Sequence, residues 1–168
     1  MILRRATAAD IPLLARWDEQ PHVIAATGDD DVIDWADEVA HQDEVQEVLI
    51  AEVDGRPLGV VQIIDPANEH THYWGDIEEH LRAIDIWIGA AADLGRGHGT
   101  LMMREALDRC FAPPDVTAVV IDPLTSNTRA QRFYVRLGFV PVGRRVFGRD
   151  DCLVHRLERD VWAGRRAH

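Results

Sequence analysis

The glycine-rich stretch at residues 94–100 has the composition of an anion-binding loop. Its three alternating glycines lack a Cβ, so main-chain N–H groups can lie close to a ligand. The stretch follows a strand-like run at residues 83–88 and opens an amphipathic helix, whose first N–H groups have no intrahelical partner and carry partial positive charge. Arg96 adds a forked cation within the loop. Together these features predict a site for a phosphate or pyrophosphate.

Three interpretations of this loop compete. A nucleoside-triphosphate P-loop needs Lys and then Ser or Thr after its last glycine, whereas this stretch has Thr100 and no lysine. A dinucleotide-binding loop needs Gly-x-Gly-x-x-Gly, and Thr100 stands at its third glycine. That interpretation stays open because the strand at residues 117–121 ends in Asp122, where a ribose-binding acid could lie. The third interpretation is an ordinary glycine-rich turn between a strand and a helix.

A second motif lies downstream, at residues 122–139. Four of its residues follow the i, i+3, i+4, i+7 spacing of a buried helix face: Ala130, Phe133, Tyr134 and Leu137. Gly138 can supply a left-handed C-terminal cap. The segment therefore predicts a strand end, a loop, a short helix and a further strand.

The two motifs resemble those of the GCN5-related N-acetyltransferase (GNAT) superfamily. That family's R/Q-x-x-G-x-G/A pyrophosphate loop matches residues 94–99, except that Leu94 replaces Arg or Gln. Its N-x-x-A-x-x-x-Y-x-x-x-G-F helix matches at every position: Asn127, Ala130, Tyr134, Gly138 and Phe139. The resemblance runs from residue 2 to about residue 162. It implies a mixed α/β fold of the GNAT type, in which about four helices flank a sheet of about seven strands with a V-shaped cofactor cleft.

The order of elements agrees with such a fold. Strands are predicted at residues 2–6, 48–53, 58–64, 83–88, 117–121, 140–147 and 152–157. The predicted helices start after Thr7 or Asp10, cover residues 32–41, follow the glycine loop and carry Tyr134. Residues 1–162 are expected to form one domain, and the basic segment 163–168 to be a disordered tail.

Composition limits the class of protein. The chain has 168 residues, 46% hydrophobic and 28% charged, which is typical of one globular domain. Its net charge of −11 argues against nucleic acid as a partner and favours a cationic one. Two cysteines, Cys110 and Cys152, provide no disulfide framework and are expected to be buried. Without a signal peptide or a membrane-length apolar run, we expect a cytoplasmic protein with no membrane partner.

The resemblance implies acetyl-CoA as cosubstrate and direct attack of an amine on its thioester, without a metal. Tyr134 would protonate the departing thiolate, which is general acid catalysis; the alternative is a core aromatic with a bonded hydroxyl. Main-chain N–H groups near Trp87 and Ile88 would polarise the thioester carbonyl. The predicted cofactor contacts are Trp87, Ile88, Leu94, Gly95, Arg96, Gly97, His98, Gly99, Thr100, Asn127 and Tyr134.

Asp85 is the second catalytic candidate. It is the one carboxylate in an apolar strand, where an unpaired charge is costly to bury, so it could hold the substrate ammonium and take its proton. Alternatively it faces solvent or pairs with Arg82. Asp122, at the end of the next strand, could contact the substrate or cap residues 123–126.

Within the superfamily, residues 82–85, 94–100 and 122–130 resemble bacterial aminoglycoside 6′-N-acetyltransferases, which share Leu94. This implies acetylation of a primary amine on a cationic aminosugar. The predicted substrate contacts are Trp74, Asp76, Glu78, Glu79, Asp85 and Asp122. Residues 21–31 lack the tryptophan pair of that group. The alternative acceptors are a polyamine, a siderophore-type amine or a protein N-terminus. The alternative to an enzyme is a non-catalytic CoA-binding module. The chain is expected to be a monomer or a homodimer.

Two further patterns have mainly structural interpretations. The acidic residues Asp29, Asp30, Asp31 and Asp34 are expected to supply helix N-terminal charge and solvated surface. His70 and His72 stand near acidic residues, but their spacing matches no established metal site, so a polar loop over the cleft is the better interpretation.

Overall fold

A computed structural model describes residues 1–28 and 32–166 of the chain. The strands are β1 (Ile2–Arg5), β2 (Gln46–Val53), β3 (Arg56–Ile64), β4 (Leu81–Ile88), β5 (Ala118–Ile121), β6 (Val140–Phe147) and β7 (Asp150–Glu158). The helices are α1 (Ile11–Asp18), α2 (Pro21–Thr27), α3 (Trp35–Ala40), α4 (His98–Cys110), α5 (Thr128–Leu137) and α6 (Arg159–Arg166). The strands form one sheet in the order β1-β2-β3-β4-β5-β7-β6. The seven-stranded mixed sheet is therefore confirmed.

The helices number six in the described part of the chain, two more than expected. Helix α2 buries only Val23, so its apolar pattern is weak, although Pro21 at its start is a known helix signal. Helix α6 covers most of the segment expected to be disordered, and residues 167–168 of that segment lie outside the described residues. The Trp162 indole N–H donates to the Asp108 carboxylate at 3.0 Å, and this tertiary contact holds α6 against α4.

The parallel pair β4–β5 opens after three residues. Pairing runs from Leu81 with Ala118 to Ala83 with Val120, and Ile84–Ile88 continue without a partner on that side. Strand β5 pairs antiparallel with β7 on its other edge. A V-shaped gap between the carboxyl ends of two parallel strands is the result, as the family resemblance implied.

The two faces of β4 carry different side chains because successive residues of a strand point to opposite faces. Ile84 belongs to the cluster formed with α4 and α5, whereas Trp87 packs in the cluster formed with α1 and α3. Asp85 shares the Trp87 face, and Asp85 is paired with Gln62 of β3. The candidate base therefore lies on the α1–α3 side of the sheet.

Both cysteines are buried free thiols, as expected. None of the helices described is long and apolar enough to cross a membrane.

Candidate active site

The glycine loop is folded as an open anion cradle at the start of α4. Gly95 and Gly97 have φ of 72° and 83°, and Gly97 is the left-handed residue that precedes the helix. A Cβ at either glycine would meet nothing within 4 Å, so the loop surface is free for a ligand. No side chain caps this helix end, which leaves its first N–H groups for an anion. The residues present therefore fit the diphosphate of a CoA-type cofactor.

The loop is anchored to β3 by an ion pair that sequence reasoning missed. Asp93, only 5% exposed, accepts two hydrogen bonds from Arg56, at 2.8 and 3.0 Å. The Arg56 guanidinium lowers the pKa of the Asp93 carboxyl below its usual range, so Asp93 stays ionised and the bidentate pair is maintained. The partners are 37 residues apart, and no local pattern signals such a contact.

The other predicted loop residues also lie in this cradle. Arg96 is exposed, while Leu94, His98, Gly99 and Thr100 are partly buried. The Nδ1 atom of His98 is buried and has no hydrogen-bond partner among the described residues. Buried polar atoms are normally hydrogen-bonded, so this nitrogen is available for a hydrogen bond with a ligand. This arrangement supports His98 as a cofactor contact.

We expect Gly97→Ala to weaken CoA binding at least about tenfold, because the left-handed backbone costs an L-residue roughly 1–2 kcal/mol and the loop must reorganise. The measurement is titration calorimetry with CoA. Gly143→Ala is the matched control, since its Cβ also meets nothing within 4 Å and its backbone is not left-handed. Equal affinity in the two variants would contradict the anion-cradle role.

The open edge of β4 presents the main-chain groups of Ile86 and Ile88, not those of Trp87. Gly89 N–H donates to Leu58 O of β3 at 2.9 Å, and antiparallel pairing alternates such bonds along the strand. Trp87, two residues before Gly89, therefore points its N–H toward β3. The Trp87 N–H is therefore not placed for the expected contact with a thioester carbonyl, and the N–H groups on the open side of β4 are those of Ile86 and Ile88.

The two predicted acidic residues of the site, Asp85 and Asp122, lie on β4 and directly after β5, the two strands that flank the gap. Desolvation raises the pKa of Asp85 to about 6. Desolvation, and then the charge of Asp85, raise the pKa of Asp122 to about 7. Two carboxylates that disfavour each other's ionisation form a coupled pair suited to binding a cation and a proton.

The pairing of Asp85 with Arg82 is not observed among the described residues. Arg82 contacts Asp65 at 3.5 Å and its neighbour's carbonyl rather than Asp85. Asp122 accepts a hydrogen bond at 2.6 Å from the hydroxyl of Tyr73, a residue absent from the predicted site. Tyr73 stacks on Phe147, with ring centroids 4.5 Å apart, so the aromatic packing of the 65–80 loop orients the carboxylate.

Tyr134 lies at the base of the gap on α5. Its ring is 7% exposed and packs against Phe133, Phe139 and His155. Burial, and then the charges of Asp85 and Asp122, raise the pKa of its phenol above the usual value, so the group remains a proton donor at neutral pH. Its hydroxyl makes no hydrogen bond within residues 1–28 and 32–166, which argues against the alternative of a purely structural tyrosine with a bonded hydroxyl.

Asn127 has a structural role that the prediction did not separate from cofactor binding. Its carboxamide oxygen accepts a hydrogen bond from Ala130 N–H at 3.1 Å, so it is the N-cap of α5. The cap fixes where the helix begins, and thereby where Tyr134 projects.

The predicted substrate contacts before β4 lie on the loop that carries Tyr73. Asp76, Glu78 and Glu79 are exposed, and Glu78 forms an ion pair with Arg156 at 2.6 Å. Trp74 is 4% exposed and packs against Phe147. Their contact with a substrate stays a prediction.

The first acidic cluster is only partly described. Asp34 accepts hydrogen bonds from Ala36 N–H and Asp37 N–H, each at 3.1 Å, which makes it the N-cap of α3 as predicted. Asp29, Asp30 and Asp31 lie outside the described residues. No group of three or more His, Cys, Asp or Glu residues in the described ranges is arranged to hold a metal ion.

A cavity of about 450 Å³ lies between α2 and the turn that joins β6 to β7. Its lining includes Ile24, Leu124, Asp150 and Asp151. The charge of Asp150 contributes to the raised pKa of Asp122, which shows that the acidic field extends into this cavity. Sequence reasoning missed Asp150, because only the fold brings a β-hairpin turn beside the end of β5.

Comparison with known proteins agrees with this geometry. Residues 6–147 match the family model described as an acetyltransferase (GNAT) domain. An aminoglycoside N(6′)-acetyltransferase type 1 from Klebsiella pneumoniae is 29% identical over 145 residues, which cover 82% of this chain and 72% of the relative. A kanamycin resistance protein from Rhizobium radiobacter is 36% identical over 72 residues, 42% of this chain and 67% of the relative.

Solved structures match over nearly the whole chain. A crystal structure of aminoglycoside acetyltransferase AAC(6′)-Ib in complex with coenzyme A and kanamycin superimposes with a TM-score of 0.86 at 27% identity, and the match covers 98% of both chains. A second structure of the same enzyme, with coenzyme A, gives a TM-score of 0.85 at 27% identity and 98% coverage of both chains.

Proposed function

The chain belongs to the GNAT acetyltransferase family, and on that premise we propose that it transfers the acetyl group of acetyl-CoA to the 6′-amino group of an aminoglycoside. The relatives named for this reaction, and the neighbouring structure that holds coenzyme A and kanamycin, support the proposal. The single observation that carries it in this chain is the placement of two carboxylates, Asp85 on β4 and Asp122 directly after β5, on the two strands that flank the gap.

The chemistry follows from the groups that face the gap. The Asp85 carboxylate accepts a proton from the acceptor's ammonium, and this exposes the nitrogen lone pair. The nitrogen then bonds to the thioester carbonyl carbon while the C–S bond breaks. Tyr134 donates its phenolic proton to the sulfur and regains one from the nitrogen, which still carries a surplus proton. The net result is an acetamide, a free thiol and one proton on Asp85.

Several other groups assist without exchanging protons. The N–H groups of Ile86 and Ile88 face the gap and are placed to donate to the carbonyl oxygen, where negative charge accumulates during the reaction. Asp122 and Asp150 attract the remaining ammonium groups of a polycationic acceptor. The glycine loop holds the diphosphate and so sets the position of the thioester in the gap.

The proposal predicts that thiol release from acetyl-CoA occurs with kanamycin and is at least about tenfold slower, in kcat/KM, with spermidine or an N-terminal peptide. The reason is that a rigid polyamine sugar can engage two or more of the carboxylates at once, and each charge-assisted bond lost costs about 1.5 kcal/mol or more. The product must be identified by mass and NMR as the 6′-acetamide. A higher kcat/KM for spermidine would reassign the acceptor, and CoA binding without transfer to any amine would indicate a binding module. Sedimentation of the same sample distinguishes a monomer from a homodimer.

A further inference from the structure

We infer that His22, on α2, is a positioning residue that closes the open edge of β4 and so sets where the cofactor chain can pair with this strand. The inference rests on the proposed function, because it concerns the binding of the same CoA cosubstrate. It is carried by one contact between distant parts of the chain. The His22 Nε2 atom lies 2.8 Å from the carbonyl oxygen of Ile88, 66 residues away.

The direction of this hydrogen bond is determined by its partners. A carbonyl oxygen can only accept, so the imidazole carries its hydrogen on Nε2 and donates it. The peptide group that joins Ile88 to Gly89 is thereby held at both ends. Its N–H donates to Leu58 O of β3 at 2.9 Å, and its C=O accepts from His22 on the opposite side.

The opposite side is the gap. Strand β5 leaves β4 after Ala83, so the Ile88 carbonyl belongs to the edge that has no strand partner. His22 therefore stands where a further strand residue would pair. The edge groups left for an extended ligand are those of Ile86 and the N–H of Ile88. The pantetheine arm of CoA contains amide groups that can form hydrogen bonds with these main-chain groups of β4. The His22 imidazole marks the end of the stretch of β4 along which such pairing is possible.

Helix α1, which leads into α2 through residues 19–20, is packed tightly against the same end of β4. A Cβ at Gly89 would lie 2.0 Å from Cε2 of Trp17, so the α1 indole rests directly on the Gly89 backbone. Trp35 of α3 packs on Trp87, with ring centroids 6.0 Å apart. The Gln20 N–H donates to Trp17 O at 3.1 Å and so ties the start of α2 to α1. His22 is therefore attached to a packed helix rather than to a free loop, as a positioning residue requires.

The inference is tested with His22→Ala, His22→Gln and the control His41→Ala. The His41 imidazole bonds only within α3, to Asp37, and lies on the surface. We measure the Kd of CoA by calorimetry without an acceptor, and then KM and kcat with acetyl-CoA and kanamycin. For His22→Ala we expect Kd and the KM of acetyl-CoA to rise about tenfold, with kcat within about twofold. Gln retains an N–H donor, so His22→Gln should restore most of the affinity, and His41→Ala should match the wild type.

The outcomes separate the inference from the proposed function. Wild-type affinity in a cooperatively folded His22→Ala variant overturns the inference, as does an equal loss of affinity in the Ala and Gln variants. A fall in kcat with unchanged KM also overturns it, because that pattern assigns His22 to the chemical step. If CoA binds to the wild type and is weakened in His22→Ala, but no aminoglycoside is acetylated, the inference stands and the proposed acceptor fails.

Discussion

Replacing Tyr134 by phenylalanine is expected to lower kcat by about 10²-fold or more while the Kd of CoA stays unchanged. Burial and the charges of Asp85 and Asp122 raise the pKa of the phenol, so Tyr134 is protonated at neutral pH and can serve as the proton donor to a departing thiolate. The folded state loses no hydrogen bond in the described structure when the hydroxyl is removed. We therefore expect the melting temperature of Tyr134→Phe to match that of the wild type.

The leaving group provides the sharpest control for this prediction. An aryl acetyl-thioester releases a thiolate that needs no protonation, so a general-acid role requires the deficit of Tyr134→Phe to shrink strongly with that donor. A deficit of the same size with both thioesters would mean that the hydroxyl acts by packing or by orienting the acceptor. An unchanged kcat with acetyl-CoA would remove Tyr134 from the mechanism.

Replacing Asp85 by asparagine is expected to lower kcat/KM for the acceptor by about 10²-fold or more, again with unchanged CoA affinity. Asparagine retains the shape of the side chain but neither carries the negative charge nor accepts a proton at neutral pH. The measurement is initial rate against kanamycin concentration at saturating acetyl-CoA. Asp160→Asn is the matched control, since Asp160 is exposed on α6.

The pH profile adds a readout that separates a base from a simple cation contact. The pKa values of Asp85 and Asp122 are raised to about 6 and about 7, so the pair gains protons as the pH falls through this range. A protonated carboxyl cannot take the ammonium proton, and wild-type kcat/KM should therefore decline below about pH 7. In Asp85→Asn the pKa of Asp122 is released from its neighbour's charge and falls, which shifts the acidic limb of the residual activity to lower pH. An acidic limb at the same pH in both proteins would contradict the coupled pair.

The local motifs of this chain were predictable because they depend on covalent geometry and nearest neighbours. The left-handed backbone at Gly97 and at Gly138 requires a residue without a Cβ, so the glycines mark the start of one helix and the end of another wherever those helices pack. Asn127 caps α5 by bonding to a residue three positions on, and the helix spacing alone turns Tyr134 inward. Hydrophobic patterns predicted the number of strands and their bounds to within about two residues. The family resemblance implied the opening between β4 and β5.

The tertiary structure alone decided which groups meet. The register of β4 against β3 turns the main chain of Ile86 rather than Trp87 toward the gap, and a slip of one residue would reverse this. Contacts between residues far apart in the sequence, such as Tyr73 with Asp122, Arg56 with Asp93 and His22 with Ile88, leave no periodic trace. Sequence spacing thus specified the strands and four of the helices, while the packing of the sheet and helices in three dimensions determined the partners of the charged groups in the site.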